Sequence, residues 1–499
     1  MPVDPRTPVL IGYGQVNHRD EPDPSEPSIE PVDLMVTATR NAADARVIEA
    51  LRTIPVSIRV VHMLSAHYRN PGLLLGERLG LAKFTASYSS VGGNTPQSLV
   101  NQACLDIQQG RAGVVLISAA ETWRTRNALK KQGRRLVWTE QDNSVPMPEV
   151  AGDDVPMAGD AEIKIKLDRP SFVYPMFEQS LRIANGESVA EHGKRVSELW
   201  ARFSAVAADN PHAWIRRRHS AEEIREASPQ NRMISWPYTK LMNSNNMVDQ
   251  GASLILTSVE QARKLQVPEE RWVYPQAGTD AHDTSAIAER GELHRSPAIR
   301  IGGRTALELA GLTVDDVDYV DLYSCFPSAV QVAAAELGLA TDDPARPLTV
   351  TGGLTFAGGP WSNYVTHSIA TMAELLIANP GRRGLITANG GYLTKHSFGI
   401  YSTEPGSHEF RWEDVQSAVD REPTTVGLVD WEGTGTVESW TTPFDRDGQP
   451  EKAFLAVRTP DDARVLAVIT DPAAAADTVR DDIAGAKVAV AADGTAKLH

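Results

Sequence analysis

Cysteine is nearly absent from this 499-residue chain: only Cys104 and Cys325 occur, far apart in sequence. Two such residues in apolar or motif surroundings argue against a disulfide framework and lead to the expectation of a reducing, cytoplasmic compartment. Long apolar runs are missing too. No stretch of about 18 apolar residues occurs, so no membrane span is expected. The first residues lack the basic-then-apolar pattern of a signal peptide. Positive charge is in deficit, with 49 Lys and Arg against 64 Asp and Glu, a formal net charge of −15. That balance argues against nucleic acid or an anionic membrane as the main partner. There is no P-loop, dinucleotide fingerprint or metal-ligand spacing, so no metal is expected. What is left is a chain long enough for two or three domains, with an ordinary 41% hydrophobic content.

The most strongly patterned stretch runs from Thr351 to Gly391. Glycine turns at Gly352-Gly353 and Gly358-Gly359-Pro360 precede a helical stripe of Val365, Ile369, Met372, Leu375 and Leu376. Asn379-Pro380-Gly381 stops the helix, and Gly384 to Ala388 reads as a buried strand ending in Asn389-Gly390-Gly391. The same plan stands upstream. Gly92-Gly93 leads to Thr95 as N-cap and Pro96 at the first helical position, then to the stripe Leu99, Val100, Ala103, Cys104 and Ile107. Gly110 ends that helix and Gly113 to Ser118 follows as a strand. A glycine turn, a helix and a buried strand used twice predict two halves of one duplicated α/β fold.

This doubled plan resembles the thiolase superfamily, and four further stretches carry the likeness. Asn243 to Ala252 is similar to the thiolase loop ending in Asp-Gly-Ala. Ala310 to Asp318 resembles the approach to the Asn-Glu-Ala-Phe or His-Asp-Cys-Phe motif, and Asp321-Leu322-Tyr323-Ser324-Cys325-Phe326 stands where that motif belongs. Asn210 to Trp214, with Glu222-Glu223-Ile224 and Met233-Ile234, is similar to the sterol-carrier-type thiolases. The resemblance spans residues 6 to 405.

It implies a duplicated thiolase fold of two α-β-α halves with an inserted loop domain. The halves are expected over 1–122, with a return at 236–270, and over 271–405; the CoA-covering loop domain takes 123–235. From 406 to 499 the composition changes to short alternating runs, with Asp445-Arg446-Asp447-Gly448 as a hairpin signal. An additional antiparallel β-barrel domain, OB-like, is expected there. Its Trp431 and Trp440 either stack bases or fill a small core.

The resemblance also assigns the site positions. A thiolase nucleophile would stand at Gly93, its activating histidine at Gly359 and its second cysteine at Ala388. None of these residues titrates, so ordinary thiolysis is not expected. Tyr323 occupies the motif position and reads either as an acid–base residue or as a space filler. His396 is a second candidate, with Lys395 beside it favouring the neutral imidazole. Cys104, in the helix stripe, reads as core. For coenzyme A or acyl-CoA, the implied contacts are Arg216, Arg217 and Arg218 in the loop domain, with Asn245 and Ser253. The resulting expectation is a CoA-thioester binder of lipid metabolism, monomer or homodimer, without cysteine-dependent activity. The alternatives are an acyltransferase or retro-aldol lyase using Tyr323, and an interaction module whose tail holds a protein partner.

Overall fold

Nine consecutive buried residues make Val114–Thr122 the strand around which the first half forms. In the computed structural model, which describes residues 3–23 and 27–499, it lies inside a six-stranded sheet. The order is Pro8–Asn17, Asp249–Ser258, Val114–Thr122, Val56–Val60, Phe84–Ser89 and Glu149–Ala151. The first three pair antiparallel and the rest parallel. The second sheet runs Arg411–Asp414, Tyr274–His282, Lys395–Ser402, Arg383–Gly390 and Tyr319–Asp321. Its central strands repeat the first sheet's pattern, two antiparallel pairings followed by a parallel one. The duplication expected from the sequence is therefore present in the pairing itself. No helix among the described residues is long and apolar enough to cross a membrane.

The helices Thr95–Gln108 and Tyr364–Ala378 pack between these sheets. A helix covered on both sides has little solvent face, and its buried polar residues must be satisfied internally. Gln97 Nε2 donates to Asn101 Oδ1 at 2.9 Å, and Tyr401 donates to Gln97 Oε1 at 2.7 Å. Cys104 is fully buried in the same core, as its place in the stripe predicts. Asn94, rather than Thr95, is the N-cap, and the Thr95 hydroxyl donates back to the Gly92 carbonyl at 2.8 Å.

The insertion carries two long helices, Pro170–Ala184 and Val189–Asp209, where the apolar pattern suggested one from 177 to 208. Gly186 takes a positive φ between them and Ser188 caps the second helix with Glu191. The pair is tied by His192, whose ring nitrogens lie 2.5 Å from Glu178 and 2.6 Å from Glu187. Burial opposes a charge on His192, but the hydrogen bonds to the two carboxylates outweigh it and raise the imidazole pKa. Stability from this group is full below about pH 6.5 and is lost as pH rises through the raised folded value. Glu187, depressed to about 2 mainly by Arg195, behaves oppositely: its contribution is present above about pH 4.5 and is lost toward pH 2. Thermal midpoints are therefore expected to fall as pH climbs above neutrality, and His192→Gln is expected to flatten that slope. An unchanged slope in the variant rules the network out as its source.

The tail forms a third sheet, ordered Gly427–Leu428, Arg464–Ile469, Ala453–Arg458, Gly433–Pro443, Lys487–Val490 and Ala496–Leu498. All its pairings are antiparallel except the first. Composition set this segment apart, yet it is fused to the body by contact. The Gly433–Pro443 strand continues into pairing with Met233–Trp236 of the insertion, Thr442 opposite Trp236. Trp440 is fully buried and stacks on Trp236 with centroids 5.4 Å apart. Its indole N–H donates to the Thr478 carbonyl at 3.0 Å. Trp440 is thus core, not a base-stacking platform. Residues 411–414 belong to the second sheet, alongside Tyr274–His282.

Candidate active site

The turn at Gly92-Gly93 opens the Thr95–Gln108 helix at the position assigned to a nucleophile. The volume that a side chain at 93 would need is already taken. A β-carbon on Gly93 would overlap the Tyr323 hydroxyl and the Asn389 carbonyl oxygen, and would lie 2.8 Å from Tyr323 Cζ. Tyr323 leaves the Tyr319–Asp321 strand with its backbone N–H donating to Thr387 Oγ1 at 2.9 Å. Its ring stands edge-on to Tyr364, centroids 5.5 Å apart. Burial, then the neighbouring Cys325, raises the Tyr323 phenol well above its ordinary value. At neutral pH it is a hydrogen-bond and proton donor rather than a phenolate nucleophile. Burial likewise pushes the Cys325 thiol up to about 12.

The second-half turn is filled in the same manner. A β-carbon on Gly359 would overlap Ser244 Oγ and lie 2.9 Å from Asn246 Oδ1. The Gly359 N–H donates to the Asn245 carbonyl at 2.9 Å, and the Asn245 N–H to Leu354 at 3.1 Å. Asn245 thus serves this turn through its backbone. The two turns meet where the Gly92 N–H donates to Ser362 Oγ at 3.3 Å. Both of these N–H groups are therefore used within the protein. His367, one turn into the second helix, is held near pKa 3, first by burial and then by His212, and stays neutral. Its Nδ1 lies 2.9 Å from Gln15 Oε1.

Ala388 is buried in the Arg383–Gly390 strand, opposite Ser397. Its neighbour Asn389 does reach the centre, donating from Nδ2 to Tyr174 Oη at 2.9 Å while its buried Oδ1 has no partner. His396 lies elsewhere, in a cavity that Tyr323 does not line, with Nε2 3.5 Å from Asp283 Oδ2. Of the basic run, Arg218 is paired with Asp209 at 2.9 and 3.0 Å and Arg217 with Glu223, while Arg216 is exposed. Ser253 is fully buried, its hydroxyl 2.7 Å from that of Ser118 and 3.0 Å from that of Thr39. It joins sheet to helix, out of reach of a ligand at the surface.

The whole chain superposes on the crystal structure of a monomeric SCP2-thiolase-like protein type 1 from Mycobacterium smegmatis, with 33% identity over 100% of both chains and a TM-score of 0.84. The chain belongs to the thiolase superfamily, among its SCP2-thiolase-like proteins of type 1. Family models agree at both ends of this assignment. The thiolase C-terminal domain-like model matches residues 279–360, and the thiolase-like protein type 1 additional C-terminal domain matches 414–495. An acetyl-CoA acetyltransferase of Methanothermobacter thermautotrophicus is 26% identical over 192 residues, 36% of this chain and 47% of that protein. The match thus spans about half the length of that curated relative. The Ltp2–ChsH2(DUF35) aldolase shares the fold, with 18% identity, a TM-score of 0.58, and coverage of 80% of this chain and 98% of that one.

For this type 1 thiolase-like chain, sequence reasoning singled out Tyr323 without saying what it lies against. Its hydroxyl lies against Gly93, while the Ser244–Asn246 segment lies against Gly359. Asn389 and Asp283 were missed. Asn389 stands next to the noticed Ala388 and Asp283 next to nothing singled out, and only the fold brings them to Gly93 and His396.

Proposed function

We propose that this protein binds coenzyme A or an acyl-CoA on a thiolase scaffold and does not carry out cysteine-dependent thiolysis. The observation that carries this reading is the Tyr323 hydroxyl lying in the space a side chain at 93 would need. No sulfur nucleophile fits there while Tyr323 stays, no imidazole fits at 359 beside Ser244, and Cys325 remains a thiol. Lipid metabolism and a cytoplasmic setting follow the same reading. Arg216, exposed and without an ion-pair partner among the described residues, is the cation we assign to a CoA phosphate. Calorimetric titration of the full chain with CoA is expected to give saturable binding, weakened on the order of ten-fold by Arg216→Glu. Unchanged affinity in that variant removes Arg216 from the site.

A second reading, carbon–carbon cleavage of a CoA thioester by Tyr323, is favoured by one detail. No hydrogen bond from its hydroxyl to another described residue accompanies its buried position. A protonated phenol so placed can give a proton to a departing or forming carbonyl. Product formation from 3-hydroxyacyl-CoAs that disappears in Tyr323→Phe supports this reading, and an equal rate in the variant ends it.

We read the protein as a monomer. The short strand Glu149–Ala151 covers the outer edge of Phe84–Ser89, which a partner's strand would need. An OB-like tail recruiting a protein partner is the weakest reading, because its Gly433–Pro443 strand and Trp440 are engaged by Met233–Trp236 of the body.

A further inference from the structure

Two arginines stand just past the carboxyl ends of strands in the first sheet, Arg19 after Pro8–Asn17 and Arg124 after Val114–Thr122. Each of those strands pairs antiparallel with Asp249–Ser258, so both run the same way. Val56–Val60 and Phe84–Ser89 run with them, and the Gly92-Gly93 turn follows the second of these. Arg19, Arg124 and the turn therefore open on one end of the sheet, the end at which α/β folds receive their ligands. Arg216 reaches the same place from the insertion.

Arg19 is held in position rather than left loose. Its Nη2 donates to the carbonyls of Ala213 and Trp214, both at 3.0 Å, and its guanidinium lies over the Trp214 ring at 4.5 Å. Its Nε and Nη1 have no hydrogen-bond partner among the described residues. Arg124 is tied to the same loop, with Nη1 donating to the Asp20 carbonyl at 2.8 Å and Nη2 to Glu21, an exposed carboxylate at the rim. Buried Asp249 lies 3.9 Å from Arg124 Nη1 but is engaged by the Thr125 N–H and hydroxyl. Arg216 follows Trp214 closely and is exposed. The pKa of Arg19 is lowered, first by burial and then by Arg124 and Arg216, so the three cations are near enough to repel one another. The chain carries a net charge of −15, yet here three arginines gather. Neither Arg19 nor Arg216 has an ion-pair partner among the described residues. Such a cluster is completed by an added anion.

Both loops lead inward to the second-half turn. The Trp214 N–H donates to the Ala357 carbonyl at 2.9 Å, just before Gly358-Gly359. The Arg124 N–H donates to the Val248 carbonyl at 3.3 Å, and residues 244–246 of that loop lie against Gly359. The cluster is thus the outer end of segments whose inner ends border the candidate site.

We propose that Arg19, Arg124 and Arg216 together bind a phosphomonoester, the ribose phosphate of coenzyme A. The inference rests on the CoA reading of this chain, and adds to it the group recognised and two further arginines that recognise it. A phosphomonoester carries about 1.5 to 2 negative charges at neutral pH and three acceptor oxygens. Planar guanidinium donors match it in sign and geometry. The pyrophosphate is the other phosphate source in the same ligand, and removing the monoester alone tells the two apart.

The test is calorimetric titration of the full chain, at low ionic strength, with CoA and with dephospho-CoA, which differ in that one group. The native chain is expected to bind dephospho-CoA more weakly by on the order of ten-fold or more. Arg19→Gln is expected to remove most of that preference, because the missing cation and the missing phosphate belong to one contact. Equal affinities for the two ligands in the native chain overturn the proposal and leave the CoA reading standing, with the pyrophosphate as the anion held. A preference that survives intact in Arg19→Gln, with both affinities lowered alike, reduces Arg19 to a structural role and also overturns it. Failure of either ligand to bind the native chain removes the CoA reading, and this inference with it.

Discussion

A methyl group at position 93 is expected to destabilise the protein by about 3 kcal/mol. Gly93 is not in the left-handed region, so the cost of Gly93→Ala is steric rather than conformational. The added carbon meets the Tyr323 hydroxyl, which can swing away, and the Asn389 carbonyl, which cannot move without shifting the Arg383–Gly390 strand. Gly93→Cys carries the same clash with a larger atom behind it. Restoring a cysteine is therefore expected to cost stability without restoring thiolysis. Tyr323→Phe removes one of the overlapping atoms and is expected to recover part of the loss, so the two substitutions should be non-additive in urea unfolding. Additive effects, or a Gly93→Ala protein as stable as the parent, show that the ring does not occupy that space.

Glu438→Ala is expected to cost about 3 kcal/mol, and to loosen the tail in particular. Arg464, on the tail strand Arg464–Ile469, is fully buried. Its guanidinium donates to Glu438 at 2.6 and 2.7 Å, and to the carbonyls of Ile287 at 3.1 Å and Gly291 at 2.9 Å. Glu438 also accepts from Arg458 at 2.9 Å. Removing the carboxylate leaves a buried cation facing only carbonyl dipoles, across the seam between tail and body. Limited proteolysis should then cut first in the 403–426 connection, with the body's core resisting. A variant that unfolds at the parental urea midpoint, with the parental cleavage pattern, means the seam holds without this pair.

These two sites show where the sequence was legible. The duplicated plan was readable because it is local: a glycine turn, a 3.6-residue stripe and a β-branched run each report within about 15 residues. Gly93 and Gly359 could be singled out too, since they stand in recognisable turns. What lies against them could not. Tyr323 and Ser244 reach Gly93 and Gly359 from far along the chain, and periodicity says nothing about which distant side chain enters a gap. The tail's attachment failed to show for the same reason. Its strands alternate like an independent β domain, while Trp440 finds its stacking partner at Trp236 and Arg464 its acceptors at 287 and 291. Asp283 likewise belongs to His396 only through the pairing of Lys395–Ser402 with Tyr274–His282.

The most direct measurement is calorimetric titration of the full chain with acetoacetyl-CoA in the presence of free CoA, with mass spectrometry of the recovered thioesters. Saturable binding with the thioester returned intact is the expected result. Acetyl-CoA formed by the native chain would contradict it, because thiolysis needs a nucleophile in the space where the Tyr323 hydroxyl stands. Absence of any binding heat, with no competition by CoA at millimolar concentration, would contradict it as plainly, since a thioester scaffold must hold a thioester.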